Sequence, residues 1–154
     1  MPPVRSSRMP GPMSSAGREA FLAASHVAIL SIAQPDGRPP LASPVFYHYE
    51  PGGELTFFTN TLGRKTRKAE LLTSAEALTV TVQTEEMPYK YVTIEGAVVK
   101  SGPATPEEME KIAQRYMPAE YAQGFVQNEF AHPESAPVLY RVQPKRWFSS
   151  DLSD

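Results

Sequence analysis

Four basic residues lie close together after an apolar strand and are the side chains whose spacing most clearly indicates chemistry. They are Arg64, Lys65, Arg67 and Lys68. The pattern predicts a turn through 60–63 and then a helix that carries the four cations in its opening turns. The start of a helix already bears partial positive charge and free N–H groups, so four cations there should repel it. An anion bound at this turn would remove the conflict.

A phosphate group is the anion that such a strand-to-helix turn is best suited to bind. It could accept hydrogen bonds from backbone N–H groups and from Arg64 and Lys65 together. The alternative is a solvated basic face, in which Arg67 and Glu70 form a modest surface pair. Charge alone leaves both interpretations open.

The rest of the chain offers few side chains for catalysis. Cysteine is absent, which excludes disulfides, thiolate metal sites and a cysteine nucleophile. The three histidines lie far apart without metal-ligand spacing, and there is no nucleophile elbow, Walker motif or dinucleotide fingerprint. We therefore predict no metal site, and we expect any enzymatic activity to depend on a bound cofactor. The same residues would also suit a cofactor carrier that binds without turnover.

Length and charge limit the class of protein. The 154 residues fit one domain, for which we predict a mobile proline-rich tail over 1–13 and a single folded unit over 14–154. The net charge of −2 makes the basic run a local feature, which argues against a nucleic-acid partner. No apolar run is long enough to cross a membrane, and the N-terminus lacks the apolar segment of a secretory signal. These features indicate a cytoplasmic protein.

The hydrophobic pattern predicts a mainly β (α+β) fold. His26–Ala33 is an unbroken apolar run and is predicted to be a strand buried on both faces. Asp36-Gly37 predicts a hairpin turn into an antiparallel strand over Leu41–Glu50. Further strands are predicted at 54–59, 78–82, 91–100 and 138–143, with helices after Ser14, after Gly63, after Thr105 and over 119–130. Six strands joined mostly by short turns indicate a small antiparallel barrel with flanking helices.

The segment FFTNTLGRKTRKAELL, at 57–72, resembles the strand-turn-helix of the pyridoxamine 5′-phosphate oxidase-like flavin-binding split barrels. The hairpin at Asp36-Gly37, the strand YKYVTIEGAV and the closing VQPKRW fall in the order that this family shows. The resemblance covers roughly Phe21 to Trp147. It implies a six-stranded antiparallel split β-barrel that binds FMN at the interface of a homodimer.

The resemblance also implies roles for particular residues. Those matched to the cofactor are Phe58 and Thr59 at the strand end, Arg64 and Lys65 at the phosphate, Val45 and Tyr47 in the strand whose backbone lines the flavin ring, and Lys90 and Tyr91 from the second subunit. Phe58, Thr59 and Tyr91 could instead be ordinary packing residues. No indispensable acid or base is expected, although Tyr47 is a tentative proton donor.

Departures from the family pattern bear on the substrate and the cofactor. The true oxidase has arginine where this chain has Ala42 and glutamine where it has Tyr91, so oxidation of vitamin B6 is not expected. Arg67 and Lys68 would suit the longer phosphodiester tail of the deazaflavin coenzyme F-420, which related proteins use. The prediction is an oxidoreductase that transfers a hydride between FMN, or alternatively F-420, and a small organic substrate. The alternative is a non-catalytic flavin carrier or a haem-interacting module on the same fold.

Overall fold

The computed structural model describes residues 11–153 and arranges them as an antiparallel sheet with flanking helices. The strands are β1 (Ala28–Ile32), β2 (Leu41–Val45), β3 (His48–Tyr49), β4 (Leu55–Thr59), β5 (Ala77–Gln83), β6 (Lys90–Pro103) and β7 (Val138–Asp151). The helices are α1 (Ser15–Ala23), α2 (Arg67–Ser74), α3 (Pro106–Ala113) and α4 (Ala119–Ala131). Among the described residues, no helix has the length and apolar character needed to cross a membrane.

The sheet curls because its two edge strands are consecutive in the chain. The strand order is β2-β1-β5-β6-β7-β4-β3, and Phe46 and Tyr47 alone separate β2 from β3. The two ends of the sheet must therefore meet, which confirms the predicted antiparallel barrel with flanking helices. The predicted strand Leu41–Glu50 is two strands, because its first half pairs with β1 and its second half with β4. The sheet thus has seven strands in the described chain where six were predicted.

The main core lies inside the curled sheet. Alternate residues of β1, β5 and β6 point into it, among them Leu30, Val80 and Ile94, each with no exposed surface. The prediction that the first strand is buried on both faces is wrong, since Ile29 is 40% exposed and Val27 just before the strand is 51% exposed. The outer face of β1 is open to solvent, so an unbroken apolar run here forms a half-buried strand.

A second, smaller core joins α3 and α4 to the outside of β4 and β7. Met109, Ile112 and Val126 pack there against Leu139, and Phe58 lies against the same cluster. A capping box begins α3 after Thr105, where a helix was predicted. The Thr105 hydroxyl accepts from the Glu108 N–H, and the Glu108 carboxylate accepts from the Thr105 N–H. This packing fixes the helical hairpin beside the end of β4.

The last strand is longer than predicted. The predicted strand ended at residue 143, yet β7 continues to Asp151 and includes Trp147. Pro144 faces Gly96 at a shift in the β6–β7 register, and such irregularities are places where a proline is tolerated within a sheet. Gly96 allows β7 to approach closely at this register shift, since a Cβ there would overlap the Val142 side chain.

The predicted tail over Met1 to Met13 falls for the most part outside the described residues. Its last three residues are described, and they contact β7. The Asp151 N–H donates to the Gly11 carbonyl, and the Met13 N–H donates to the Ser149 hydroxyl. The segment 11–13 therefore leads from the end of β7 into α1, which Ser14 caps by accepting from the Gly17 N–H.

Candidate functional site

The curled sheet is open on one side, and we call this opening the split. β3 pairs with β4 at two positions only, His48 with Thr56 and Tyr49 with Leu55. Upstream of Tyr47 the chain leaves β4 and runs as β2 beside β1. In the described sheet, β2 and the last part of β4, Phe57–Thr59, each pair on one side only. The backbone N–H and C=O groups along these two edges are free to bind another molecule.

Residues 60–68, which we call the basic turn, follow β4 at this opening. Leu62 has a φ of 52° and Gly63 a φ of 80°, and the Arg64 N–H closes the turn on the Thr61 carbonyl at 3.1 Å. A left-handed conformation at a residue other than glycine is strained, and such residues cluster at functional sites. The turn is therefore held in a shape that its own sequence does not favour.

Asn60 holds the basic turn in place. Its side-chain amide donates to Glu129 at 2.7 Å and to the Ser135 hydroxyl at 3.2 Å. The side-chain oxygen of Asn60, Oδ1, accepts from the Leu62 and Ala136 N–H groups at 3.4 and 3.3 Å. One side chain thus ties the turn to α4 and to the loop that follows it.

The helix begins later than predicted. Thr66 is its N-cap and accepts from the Ala69 N–H at 3.1 Å, so α2 starts at Arg67. Arg64 and Lys65 precede the helix and are exposed, which corrects the prediction that they lie in its opening turns. The left-handed Gly63 and the capping threonine explain the difference, since both favour the chain just outside a helix.

Lys68 lines a cleft of about 320 Å³ at the basic turn. The other residues around it are Phe58, Thr59, Asn60, Thr61, Thr66 and Glu129. The Lys68 side chain is partly buried, and this burial lowers its pKa below the ordinary 10.5. Within residues 11–153, the Lys68, Arg64 and Lys65 side chains have no hydrogen-bond or ion-pair partner. A partly desolvated ammonium without a counter-ion favours the binding of an anion.

Arg67 differs from the other three cations because it is already paired. Its guanidinium donates to the Gln34 side chain at 2.9 Å and to Asp36 at 3.2 Å, and it lies 3.8 Å from Glu70. Gln34 and Asp36 belong to the turn between β1 and β2. Arg67 therefore ties the start of α2 to the hairpin from which β2 emerges, and the predicted surface pair with Glu70 is present beside this tie.

The donor set of the basic turn fits a phosphate. It offers the unpaired ammonium of Lys68, two exposed cations and threonine hydroxyls. A Cβ at Gly63 would meet the Glu134 carboxylate at 2.9 Å, so the turn is closely packed where a larger residue would intrude. The Glu129 carboxylate, which accepts from Asn60, and the Glu134 carboxylate lie nearby, so three cations stand beside two negative charges.

Tyr47 is a core residue, which corrects the tentative assignment of its side chain as a proton donor. The side chain is fully buried, and its hydroxyl donates to the Leu22 carbonyl at 2.6 Å. Burial raises the pKa of Tyr47 well above its ordinary 10. The Val45 side chain is also buried. Val45 can therefore contact a molecule in the split through its backbone, whereas the Tyr47 N–H and C=O already bond to the Tyr116 hydroxyl at 3.1 and 3.3 Å.

Lys90 and Tyr91 lie far from the basic turn in one chain. They pair with Asp151 and Ser150 at one end of β7, whereas Thr59 pairs with Val138 at the other end. Lys90 also lies 3.8 Å from Asp151, and Tyr91 is 41% exposed. One protomer does not bring these two residues to the split, so their predicted role requires a second copy.

A second charged cleft, which we call the outer cleft, lies under α3 on the outside of β3, β4 and β7. It measures about 540 Å³, and its ionisable residues are His48, Glu50, Glu54, Glu108, Lys111 and Arg141. Lys111 and His48 each lie 3.7 Å from Glu50, and Arg141 donates to Glu108 at 3.0 Å. Among the described residues, no cluster of His, Asp or Glu could hold a metal ion.

Sequence reasoning missed the residues that shape the site rather than bind in it. Thr66 carried a usable signal, because a threonine before a predicted helix is a common N-cap. Asn60 was predicted to be part of the turn through 60–63, but its contacts with α4 and the loop after it were not predicted. Glu129 carries no local signal, since its contact with Asn60 joins residues 69 apart in the chain.

Comparisons with known proteins identify solved structures that share the fold of this chain. No family model matches the sequence, and no curated protein is significantly similar to it. An FAD-binding protein from Mesorhizobium loti is 18% identical with a TM-score of 0.62, over 95% of this chain and 98% of that one. An F-420 reductase is 20% identical with a TM-score of 0.59, over 84% and 94%.

A third solved structure, a Listeria innocua protein named as a candidate pyridoxamine 5′-phosphate oxidase, is 14% identical with a TM-score of 0.57, over 88% of this chain and 96% of that one. At such low sequence identities, the structural likeness establishes the fold alone. The chain has the split-barrel fold of these proteins, and the resemblance inferred from the 57–72 motif is confirmed at that level.

Proposed function

We propose that this protein is a flavin-dependent oxidoreductase that binds FMN in the split with the phosphate at the basic turn. The observation that carries the proposal is the set of three unpaired cations, one of them partly buried, beside the open edges of a fold shared with proteins described as FAD-binding and as an F-420 reductase. Lys68, Arg64 and Lys65 would hold the phosphate, and the hydroxyls of Thr59 and Thr66 would complete its contacts.

The free edge of β2 is where the flavin ring would lie. Its unpaired N–H and C=O groups can bond to the polar edge of a ring without any side chain. Phe58 packs mainly against the second core and would contribute a partly exposed apolar surface. When bound, the cofactor supplies the atom that donates or accepts the hydride. The chain supplies position and restricted access of water, and a proton would come from solvent because Tyr47 is buried.

FMN is favoured over the deazaflavin by the state of Arg67. The argument for F-420 required both Arg67 and Lys68 to be free for a longer anionic tail. Arg67 is bound to Gln34 and Asp36, so Lys68 alone remains. Replacing Arg67 with alanine should therefore change the affinities for FMN and F-420 by the same small factor, and a loss confined to F-420 would reverse this choice.

Lys90 and Tyr91 would reach the cofactor from the second subunit of a homodimer. The outer face of the sheet supports this arrangement, because Ile29, Thr81, Thr93 and Phe148 form one row across four strands, with Ile29 and Phe148 40% and 48% exposed. Light scattering of the purified chain with FMN should give twice the chain mass of 17.0 kDa. A monomer under these conditions would remove the role of Tyr91.

Turnover separates an oxidoreductase from a flavin carrier, the second candidate. A carrier needs no catalytic side chain, and the burial of Tyr47 is compatible with both candidates because a proton can come from solvent. The bound flavin should be reduced anaerobically and mixed with quinones, enones and nitroaromatic compounds, with free reduced FMN as the control. An oxidoreductase would reoxidise with at least one compound faster than the control, and a carrier would be no faster with any of them.

A further inference from the structure

The α3–α4 hairpin touches both sides of the split. Its helices pack on each other and on the outer face of β4 and β7 through the second core. The segment after α3 reaches the junction at which the chain passes from β2 to β3. The end of α4 and the loop after it reach the basic turn. A single helical unit therefore contacts the two edges between which a ligand would have to fit.

Tyr116 makes the contact on the β2 side. Its hydroxyl accepts from the Tyr47 N–H at 3.1 Å and donates to the His26 carbonyl at 2.6 Å. Its ring stacks on Phe46 with centroids 4.2 Å apart. Tyr47 lies where the sheet ladder is interrupted between β2 and β3, so its backbone needs a partner from outside the sheet. Tyr116 supplies that partner and joins it to the start of β1.

Arg115 reinforces the same contact. Its guanidinium donates to the Ala24 carbonyl at 2.8 Å and to the Tyr49 carbonyl at 3.5 Å, and it lies over the Tyr47 ring at 4.9 Å. Arg115 and Tyr116 together therefore bond to backbone groups on three segments: the end of α1, the residues just before β1 and the β2–β3 junction. Removing the contact would leave several partly buried backbone groups without these partners.

Glu129 makes the contact on the opposite side. It accepts from the Asn60 amide at 2.7 Å, and the loop after α4 adds the Ser135 hydroxyl and the Ala136 N–H. Asn60 in turn fixes the Leu62 N–H inside the basic turn. The contact with α4 thus holds the basic turn in place, just as the contact with the end of α3 holds the edge of β2 in place.

We propose that the α3–α4 hairpin sets the width of the split and that Tyr116 is a positioning residue for the molecule bound there. Tyr116 acts through the Tyr47 backbone and does not itself contact the ligand. The consequence for cofactor binding rests on the proposed flavin function, whereas the mechanical role of the hairpin does not. The two parts can therefore be tested separately.

The first test compares Tyr116→Phe with Tyr121→Phe, which makes the same chemical change at a residue 71% exposed on α4. Fluorescence titration well below the unfolding temperature should show FMN and riboflavin weakened by the same factor, about three- to tenfold, in Tyr116→Phe only. Equal factors are expected because the change moves the edge of β2, where the flavin ring would lie, and leaves the phosphate contacts in place. The absorbance band of the bound flavin should also shift.

A purely structural role for Tyr116 predicts another result. Its loss would then lower the unfolding temperature but leave the band shape and the affinity of the folded fraction within about twofold of wild type. That outcome would overturn the proposal. A loss confined to FMN, with riboflavin unchanged, would also overturn it, since it would place the effect at the phosphate.

Hydrogen exchange tests the hairpin without any ligand. In Tyr116→Phe, the amides of Tyr47 and Val45 should exchange about tenfold faster, while that of Val80 in β5 should be unchanged. If wild type bound neither FMN nor F-420, this result would retain the hairpin's role while the function failed. Uniform acceleration across Tyr47, Val45 and Val80 would reject the hairpin's role whatever the cofactor results.

Discussion

The basic turn and the outer cleft hold similar numbers of charged side chains but differ in how those charges are satisfied. In the outer cleft, Lys111 lies beside Glu50 and Arg141 is hydrogen-bonded to Glu108. In the basic turn, Arg67 has partners, whereas Lys68 and the two cations before the helix have none within residues 11–153. The outer cleft is also the larger of the two, at about 540 Å³ against 320 Å³.

Pairing therefore distinguishes a site from a structural charge network better than volume does. A salt bridge at a surface contributes little and needs no further partner. A partly buried cation without a partner is costly unless a ligand neutralises it. We expect substitutions in the outer cleft to affect stability and those in the basic turn to affect binding.

The largest expected effect is on Lys68. Because a charge-assisted hydrogen bond contributes about 1.5–3 kcal/mol, Lys68→Ala should weaken FMN binding by about ten- to a hundredfold. Arg64→Ala and Lys65→Ala should each have a smaller effect, since those side chains are exposed. Riboflavin, which lacks the phosphate, should bind wild type and Lys68→Ala equally. Lys111→Ala is the matched control, and an equal loss of FMN affinity in it would erase the distinction between the two regions.

Two glycines with the same φ allow the next comparison. Gly63 in the basic turn and Gly52 in the outer cleft both have a φ of 80°, but a Cβ at Gly52 would meet nothing within 4 Å. Each change to alanine should lower the free energy of unfolding by about 1 kcal/mol, and Gly63→Ala should cost more because of Glu134. In FMN titrations of the two folded variants, Gly63→Ala alone should bind more weakly. Equal binding would show that the shape of the turn is unimportant.

Arg67→Ala should separate structure from binding within the basic turn itself. Its partners Gln34 and Asp36 are partly exposed, so we expect a loss of about 0.5–1 kcal/mol in the free energy of unfolding, measured by urea denaturation. FMN affinity should change by less than about threefold, since the side chain points to the hairpin. A loss of FMN affinity as large as that of Lys68→Ala would show that Arg67 also contacts the phosphate.

The smallest effect concerns His48 in the outer cleft. Burial, followed by Lys111 and Arg115, lowers the pKa of His48 below its ordinary 6.5. The unfolded state therefore binds more protons as the pH falls through 6.5, and the free energy of unfolding decreases there, while it does not depend on His48 at higher pH. Urea denaturation at pH 5.5 and 7.5 should show a smaller decrease in His48→Gln. FMN affinity of that variant should match wild type at both pH values.

Local signals in the sequence were sufficient for the turns and caps. Asp36-Gly37 forms the predicted hairpin with Gly37 at a φ of 74°, and the Thr105 capping box begins α3. These features depend on residues within four positions of each other. The burial of β1 was predicted wrongly because exposure of Ile29 depends on which elements cover the outer face, and no local pattern reports that.

The site was only partly predictable for the same reason. The basic run and its strand identified the right segment, but neighbouring cations turned out to serve different purposes. Arg67 binds residues more than 30 positions upstream, and Tyr47 is enclosed by α1 and Arg115. The predicted strand over 41–50 contained Tyr47, but nothing in its local sequence showed that the side chain would be fully enclosed. Tertiary contacts decided the role in both cases.

A crystal structure of the full chain with FMN would test the central claim most directly. The account predicts the phosphate within hydrogen-bonding distance of the Lys68 ammonium in the cleft of the basic turn, with the flavin ring along the free edge of β2. A flavin bound in the outer cleft or on the outer face of β1, or no flavin bound at saturating concentration, would contradict it.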